Sequence, residues 1–380
     1  LEKSNWIKIF EASEIAMKKK ILFLSPLPPP SYGSALSSQA NLEILKKDFE
    51  VHSIKLNFAK SMSNIGKIDL SKIRGVIKTS KKIKEEIKSF NPDIIYFVPA
   101  TYQIGLFRDS HYASIIRKLT SKKIIFHIRS RILEKHWRNP LYKSRYKKML
   151  KNQKAIVLDE SLISDLHELI SKESIKILSN AIPNAIPETK FKKIVKKRLK
   201  QNSFNILFFS NMDKTKGWTI LLKVCKILKN KGIKFECNFA GAWPSRKEEK
   251  EFKDFVTQNN LKEVKHLGKL SPTERNNLMS KSDILVYPTT LDTFGRVIVE
   301  AMMLGLPIIA NGIAAITTTI QHGKTGFVLK ENSPEEIVSY IEKLQDKKLR
   351  KKMGLAGRKR FLKEYEIKKY EKKFLKIINS

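Results

Sequence analysis

The chain has 380 residues, room for two domains, and its 41% hydrophobic fraction excludes a disordered or fibrous chain. Its 75 lysines and arginines outweigh 37 aspartates and glutamates. The resulting formal charge of +38 favours an anionic partner (nucleic acid, anionic lipid or a phosphorylated substrate) without choosing among them.

No apolar run is long enough to span a bilayer, and no signal-peptide pattern is seen. Cys225 and Cys237 lack metal-ligand spacing and read as core thiols of a reducing, cytoplasmic compartment. Residues 1–16 precede Met17-Lys18-Lys19-Lys20 and are expected to lie outside the fold.

Lys20 to Ser25 reads as a strand. The stiff turn Pro26 to Ser34, with Gly33, leads to a helix from about Ser37 to Lys46. Such a loop places backbone amides where a phosphate can sit, or is simply a turn. Ser71 to Ser89 predicts a basic amphipathic helix with Ile73, Val76, Ile77, Ile83 and Ile87 on one side. Ile94 to Val98 is a buried strand, followed by a strand-edge loop, Ala100 to Phe107. Lys123 to Ile128 is the next strand, with His127 at its end and Arg129 and Arg131 beyond it. A lone histidine there is structural or functional; the two arginines contact an acceptor phosphate or are solvated.

Asn139 to Lys154 is helical in pattern, with Tyr142, Tyr146, Met149 and Leu150 on one face and lysines on the other. It either lies on an anionic membrane or packs on its own domain. Ala155 to Asp159 and Ile175 to Leu178 are strands. The stretch Ala181 to Pro187 breaks regular structure twice, and Lys190 to Lys200 is lysine-rich. The domain boundary therefore falls here: an N-terminal domain at 17–187, a basic linker at 188–201, a C-terminal domain at 202–364 and a final helix within 365–380.

Asn205 to Phe209 opens a second α/β unit, and its strand-end loop, Ser210 to Gly217, leads into a helix to about Lys229. Lys234 to Ala240 and Val264 to Gly268 are strands, and Pro272 to Ser280 is a helix. Gly323-Lys324-Thr325-Gly326 lacks the strand–helix context of a P-loop, which rejects an ATPase. Ser333 to Leu344, Lys347 to Tyr365 and Ile367 to Ile378 are helices.

The most informative stretch is Tyr287 to Ala310, YPTTLDTFGRVIVEAMMLGLPIIA. A strand from Ile284 to Tyr287 runs through a polar loop into a helix beginning near Phe294, and Gly305-Leu306-Pro307 stops it. Asp292 is thereby delivered to a helix N-terminus, with Glu300 about two turns on. Unpaired amides at such an end bind phosphate.

The pattern Asp292, seven residues, Glu300, wrapped as D-T-F-G-R-V-I-V-E-A-M-x-x-G-x-P, resembles the donor-site signature of retaining glycosyltransferases of the GT-B fold, the bacterial group 1 family. That resemblance implies two Rossmann-like α/β domains facing a cleft, with the C-terminal helix crossing back to the N-terminal domain. It implies transfer of a sugar, with retention, from a nucleoside-diphosphate sugar (UDP or GDP) to a glycan or lipid-linked acceptor in surface polysaccharide or lipopolysaccharide synthesis. The enzyme would work in the cytoplasm or on the inner, anionic face of the membrane. The family has Glu where Asp292 stands, a reach longer by about 1.5 Å.

By the same resemblance, Glu300 would hold the ribose. Lys216 and the amides near Gly295 and Arg296 would stabilise the departing diphosphate. Asp292 would orient sugar hydroxyls, with Thr293, Phe294 and Val297 around the donor. Asn211 stands where the family has a cationic Arg. Gly33 is kept and Ser34 replaces a second glycine. Gly268 would cover the base, and His127 would hydrogen-bond the sugar. Thr101, Arg129 and Arg131 would meet the acceptor. No aspartate-rich metal motif is present, so no metal and no separate cofactor is expected. The alternatives are a catalytically weak donor-binding homologue and a basic nucleic-acid-binding protein; the spread of charge and the lack of zinc-finger or RNP-like patterns speak against specific nucleic-acid recognition.

Overall fold

The computed structural model describes residues 18–29, 33–56, 70–101, 103–122, 124–132, 138–166 and 168–380. The expected extension at 1–16 lies outside them, as do Met17 and residues 30–32 of the first loop. There are two compact units, the first within 18–127 and 138–155 and the second including 156–380.

The first part of the chain runs β1 (Lys20–Ser25), α1 (Gly33–Asp48), β2 (Glu50–Lys55), α2 (Leu70–Ser89), β3 (Ile94–Phe97), α3 (Gln103–Leu119), β4 (Ile124–Ile128), α4 (Pro140–Leu150), β5 (Lys154–Val157) and β6 (Ile175–Ile177). These strands form one sheet in the order β2-β1-β3-β4-β5-β6. β1 pairs in parallel with both β2 and β3, and β3 with β4. Ile21, Leu22, Phe23 and Leu24 are wholly buried, as expected where helices cover both faces of a parallel sheet.

The rest runs α5 (Glu188–Leu199), β7 (Asn205–Phe209), α6 (Trp218–Asn230), β8 (Glu236–Ala240), α7 (Arg246–Gln258), β9 (Val264–His266), α8 (Pro272–Lys281), β10 (Ile284–Tyr287), α9 (Arg296–Met303), β11 (Ile308–Asn311), α10 (Ile316–Thr319), β12 (Gly326–Leu329), α11 (Pro334–Lys343), α12 (Lys347–Arg360) and α13 (Ile367–Asn379). The second sheet has the order β12-β11-β10-β7-β8-β9. Its order reverses between β7 and β10, the switch point where ligands bind outside the carboxyl ends of the strands. Trp218, Phe239 and Phe252 pack in its core, each burial contributing about 1.5–3 kcal/mol.

Several elements differ from the sequence expectation. Gly33 and Ser34 are not loop residues but the first turn of α1. The expected loop at 100–107 becomes helical from Gln103. The basic stretch read as a linker is α5. Lysine is a good helix former, and the helix buries Phe191 and Arg198 against the second unit. Helix α4 is capped by Asn139, whose side chain accepts from the Leu141 and Tyr142 amides, and it starts on Pro140. It packs Tyr146, Met149 and Leu150 out of solvent on its own unit, which removes that apolar face from any membrane. In α2, Ile83 and Ile87 are buried, but Ile73 and Ile77 are exposed. Among the described residues no helix is long and apolar enough to cross a membrane.

Candidate active site

Two loops meet at the switch point of the second sheet. One follows β7 and carries Asn211 to Gly217; the other follows β10 and carries Pro288 to Gly295. The Thr215 carbonyl ties them, accepting from the Thr290 amide at 2.7 Å and the Thr289 hydroxyl at 3.0 Å. Gly217 lets the loops close: its φ is +86°, and a Cβ there would lie 2.1 Å from the Pro288 carbonyl oxygen.

Asp292 is the centre of the junction. Its Oδ1 accepts from the amides of Thr293, Phe294 and Gly295 at 2.7, 3.2 and 3.1 Å. Its Oδ2 accepts from the Tyr287 hydroxyl at 2.6 Å and from Lys216 Nζ at 3.1 Å. Lys216 also donates to the Leu291 carbonyl at 2.8 Å. Burial alone would raise the Asp292 carboxyl, but the Lys216 charge, the Tyr287 hydroxyl and the Gly295 amide outweigh it and hold the group below its ordinary value. Tyr287 moves the other way, pushed well up by burial and by the charge of Asp292. The three amides just before α9 are therefore already engaged by the chain's own carboxylate.

The far end of α9 has the complementary charges. Arg198 donates to the Leu304 and Gly305 carbonyls at 3.1 and 2.9 Å, and Arg358 to the Met303 carbonyl at 2.8 Å. Burial lowers Arg198 to about 10, opposed by the charge of Asp283. The short helix carrying the acidic pair is thus held at both ends by charges that match its dipole.

Glu300 is 3% exposed on α9. Its Oε1 receives both Arg275 at 2.9 Å and Arg296 at 3.3 Å. Among the described residues, none donates to Oε2, which leaves an acceptor for a ligand. Phe294 and Val297 are buried, and Phe294 packs edge-on against Tyr365, so only their backbone is on offer. Thr293 is spent partly on structure, its carbonyl accepting from the Ala315 amide. Asn211 is exposed on the β7 loop. Gly268 accepts from the Gly241 amide at 2.8 Å, which sets it beside the ends of β8 and β9 on the same sheet edge.

In the first unit, His127 is wholly buried. Asn41 donates to the Tyr96 hydroxyl at 2.8 Å, and that oxygen lies 2.5 Å from His127 Nδ1. Thr101 is also buried, its carbonyl accepting from the Tyr146 hydroxyl. Gly33 and Ser34 sit at the start of α1. Beyond β4, Arg129 is buried and Arg131 pairs with Asp165 at 3.5 Å. The partners Tyr287, Arg275, Tyr96 and Asn41 escape the sequence reading, although Tyr287 ends the strand just before Asp292. Among the described residues, no group of three or more His, Cys, Asp or Glu side chains is placed to hold a metal.

Two parallel six-stranded sheets flanked by helices, the second with a lysine–carboxylate junction at its switch point, define the GT-B class of α/β protein. Residues 189–360 match the family described as glycosyl transferases group 1. The capsular polysaccharide biosynthesis glycosyltransferase CapM of Staphylococcus aureus is 30% identical over 217 residues, 54% of this chain and 56% of that protein. The chain spans about half the length of the curated relatives it matches. A glycosyltransferase from Rickettsia africae superposes with a TM-score of 0.69 at 21% identity, over 95% of this chain and 98% of that one. Anabaena HepE in complex with UDP and glucose does so with a TM-score of 0.70 at 17% identity, over 95% and 100%. These structural likenesses define the fold.

Proposed function

We propose that the protein is a retaining glycosyltransferase that takes a sugar from a nucleoside diphosphate, UDP by preference, and passes it to a glycan or lipid-linked glycan in surface polysaccharide or lipopolysaccharide synthesis on the cytoplasmic side of the membrane. The observation that carries this reading is the junction of Lys216, Tyr287 and Asp292 on the amides of α9, with a free Glu300 oxygen two turns along the same helix. CapM, named for capsule synthesis, and HepE, solved with UDP and glucose, support the substrate class.

In this reading Glu300 Oε2 accepts from a ribose hydroxyl. Lys216 exchanges Asp292 for the diphosphate oxygens and stabilises the charge that grows on the leaving group as the glycosidic bond breaks. Asp292, still held by the α9 amides and Tyr287, accepts from donor-sugar hydroxyls. The first unit takes the acceptor, and His127 acts through a hydrogen bond rather than as a base. Retention follows from attack on the face the diphosphate leaves, the departing phosphate taking the acceptor's proton. The residues invoked include no metal ligand set, so transfer proceeds in EDTA.

Thermal unfolding with UDP, GDP, ADP and their sugar conjugates, in EDTA, tests the donor site. A ligand at a hundred times its dissociation constant adds about 2.7 kcal/mol to the folded state. Stabilisation by the uridine series is expected, with transfer from the matching donor. No shift with any nucleotide in a folded sample overturns the reading.

A further inference from the structure

Glu300 holds two arginines on one oxygen, and it holds them unequally. Arg275, from the first turn of α8, donates through Nη1 to Oε1 at 2.9 Å, a full-strength charge-assisted bond. Arg296, the first residue of α9, reaches the same oxygen through Nε at 3.3 Å, past the usual N–H···O range.

Most of the Arg296 guanidinium is unspent. Its Nη1 and Nη2 donate to no described residue, and its side chain is 27% exposed above a carboxylate that is 4% exposed. The Nη pair is an edge with which a guanidinium grips phosphate. As a stabiliser of the fold the residue is poorly placed. A cation at a helix start opposes the dipole, and arginine before glutamate at i, i+4 is the weaker order of such a pair. The same placement suits an anionic ligand, because the guanidinium adds to the positive field at the start of α9.

The charges at the junction leave a surplus. Lys216, Arg275 and Arg296 are three cations, whereas Asp292 and Glu300, the carboxylates they pair with, are two. Lys216 divides its donors between Asp292 and the Leu291 carbonyl. Asn211, on the same loop as Lys216, brings no charge. A diphosphate carries several negative charges, more than a single shared ammonium can answer.

We propose that the Arg296 side chain is a second diphosphate ligand of the donor site, released from Glu300 to the phosphate oxygens when the donor binds. Arg275 keeps its stronger hold on Oε1, so Glu300 stays in place with Oε2 turned to the ribose. The step mirrors the one at Lys216: each cation is kept by a carboxylate and passed to the phosphates. This inference rests on the donor site proposed above and deepens it.

UDP and uridine separate this role from a bracing one, since only UDP has phosphates. Titration calorimetry measures UDP and saturation-transfer NMR measures uridine, both on the full chain. Arg296→Gln is expected to bind UDP at least about tenfold more weakly and uridine within about twofold of wild type. Arg275→Gln is expected to weaken both in similar proportion, because it loosens Glu300. Arg296→Lys restores the charge and is expected to regain at least about threefold of the lost UDP affinity. Unchanged UDP affinity in Arg296→Gln overturns the proposal. A loss that uridine shares equally also overturns it, by making Arg296 a brace for Glu300, and so does a lysine variant as weak as the glutamine one. A wild type that binds no nucleotide refutes the donor site itself, whereas a wild type that binds UDP and an Arg296→Gln that binds it equally well refute the role of Arg296 alone.

Discussion

Replacing Asp292 by Asn tests the junction most directly. The side chain keeps its shape, so an amide oxygen can still face the amides of Thr293, Phe294 and Gly295. Its NH2 must then face Tyr287 and Lys216. Tyr287 can turn to accept, but Lys216 meets a donor and loses the ion pair at 3.1 Å. Asp292 and Lys216 are each about a quarter exposed, so the pair is worth more than a surface bridge and less than a fully buried one. About 1–1.5 kcal/mol for the pair and about 0.5–1 kcal/mol for the lost charge at the helix terminus give about 2 kcal/mol. For a unit of this size that is a fall in Tm of about 4–8 °C.

The pH dependence has a definite sign. A carboxylate held below its ordinary value stabilises the fold above the unfolded-state pKa, and that contribution is lost as pH falls through the lower, folded-state value. The gap between wild type and Asp292→Asn should therefore be constant from about pH 7 to pH 5 and close below about pH 4. Calorimetry of both proteins across that range measures it. Melting within about 1 °C of each other at pH 7, or a gap that persists unchanged to about pH 3, would refute the charge network as the source of the stability.

Three further outcomes follow from the same geometry. Lys216→Met should weaken UDP binding by about tenfold or more in titration calorimetry, because it removes the ammonium held beside Asp292; unchanged affinity would place the diphosphate elsewhere. Gly217→Ala should destabilise the fold by more than about 2 kcal/mol in denaturant unfolding, since its φ of +86° and the Pro288 carbonyl both oppose a Cβ; a neutral variant would mean the two loops separate easily. Tyr96→Phe removes the phenol at His127 Nδ1, and turnover should drop at least tenfold with UDP affinity unchanged. A parallel loss of UDP binding would show that the tyrosine acts on the fold and not on the imidazole.

What the sequence conveys here is what lies close together along the chain. The strand from Ile284, the loop with Asp292 and the helix to Met303 occupy one continuous segment, and hydrophobic pattern and breakers alone place the carboxylate at a helix start. The same local logic fails where a residue's fate is decided from afar. Lys190 to Lys200 has the composition of a linker, yet Phe191 and Arg198 find partners more than 80 residues away and turn it into a packed helix. Ile73 and Ile77 share the apolar pattern of α2 with Ile83 and Ile87, but only the second pair is covered. Asn41, Tyr96 and His127 come from α1, β3 and β4, separated by 55 and 31 residues, so no window of sequence contains this hydrogen-bonded chain. Asp292 is the instructive middle case. Its position is legible, but its partners are not: its carboxylate takes the amides of Thr293, Phe294 and Gly295, the last of them one of the amides expected at the diphosphate. In the proposed donor site, a phosphate that reaches the Gly295 amide would compete with this internal carboxylate. In this chain, donor affinity should depend on the strength of that competition as much as on the contacts the donor makes.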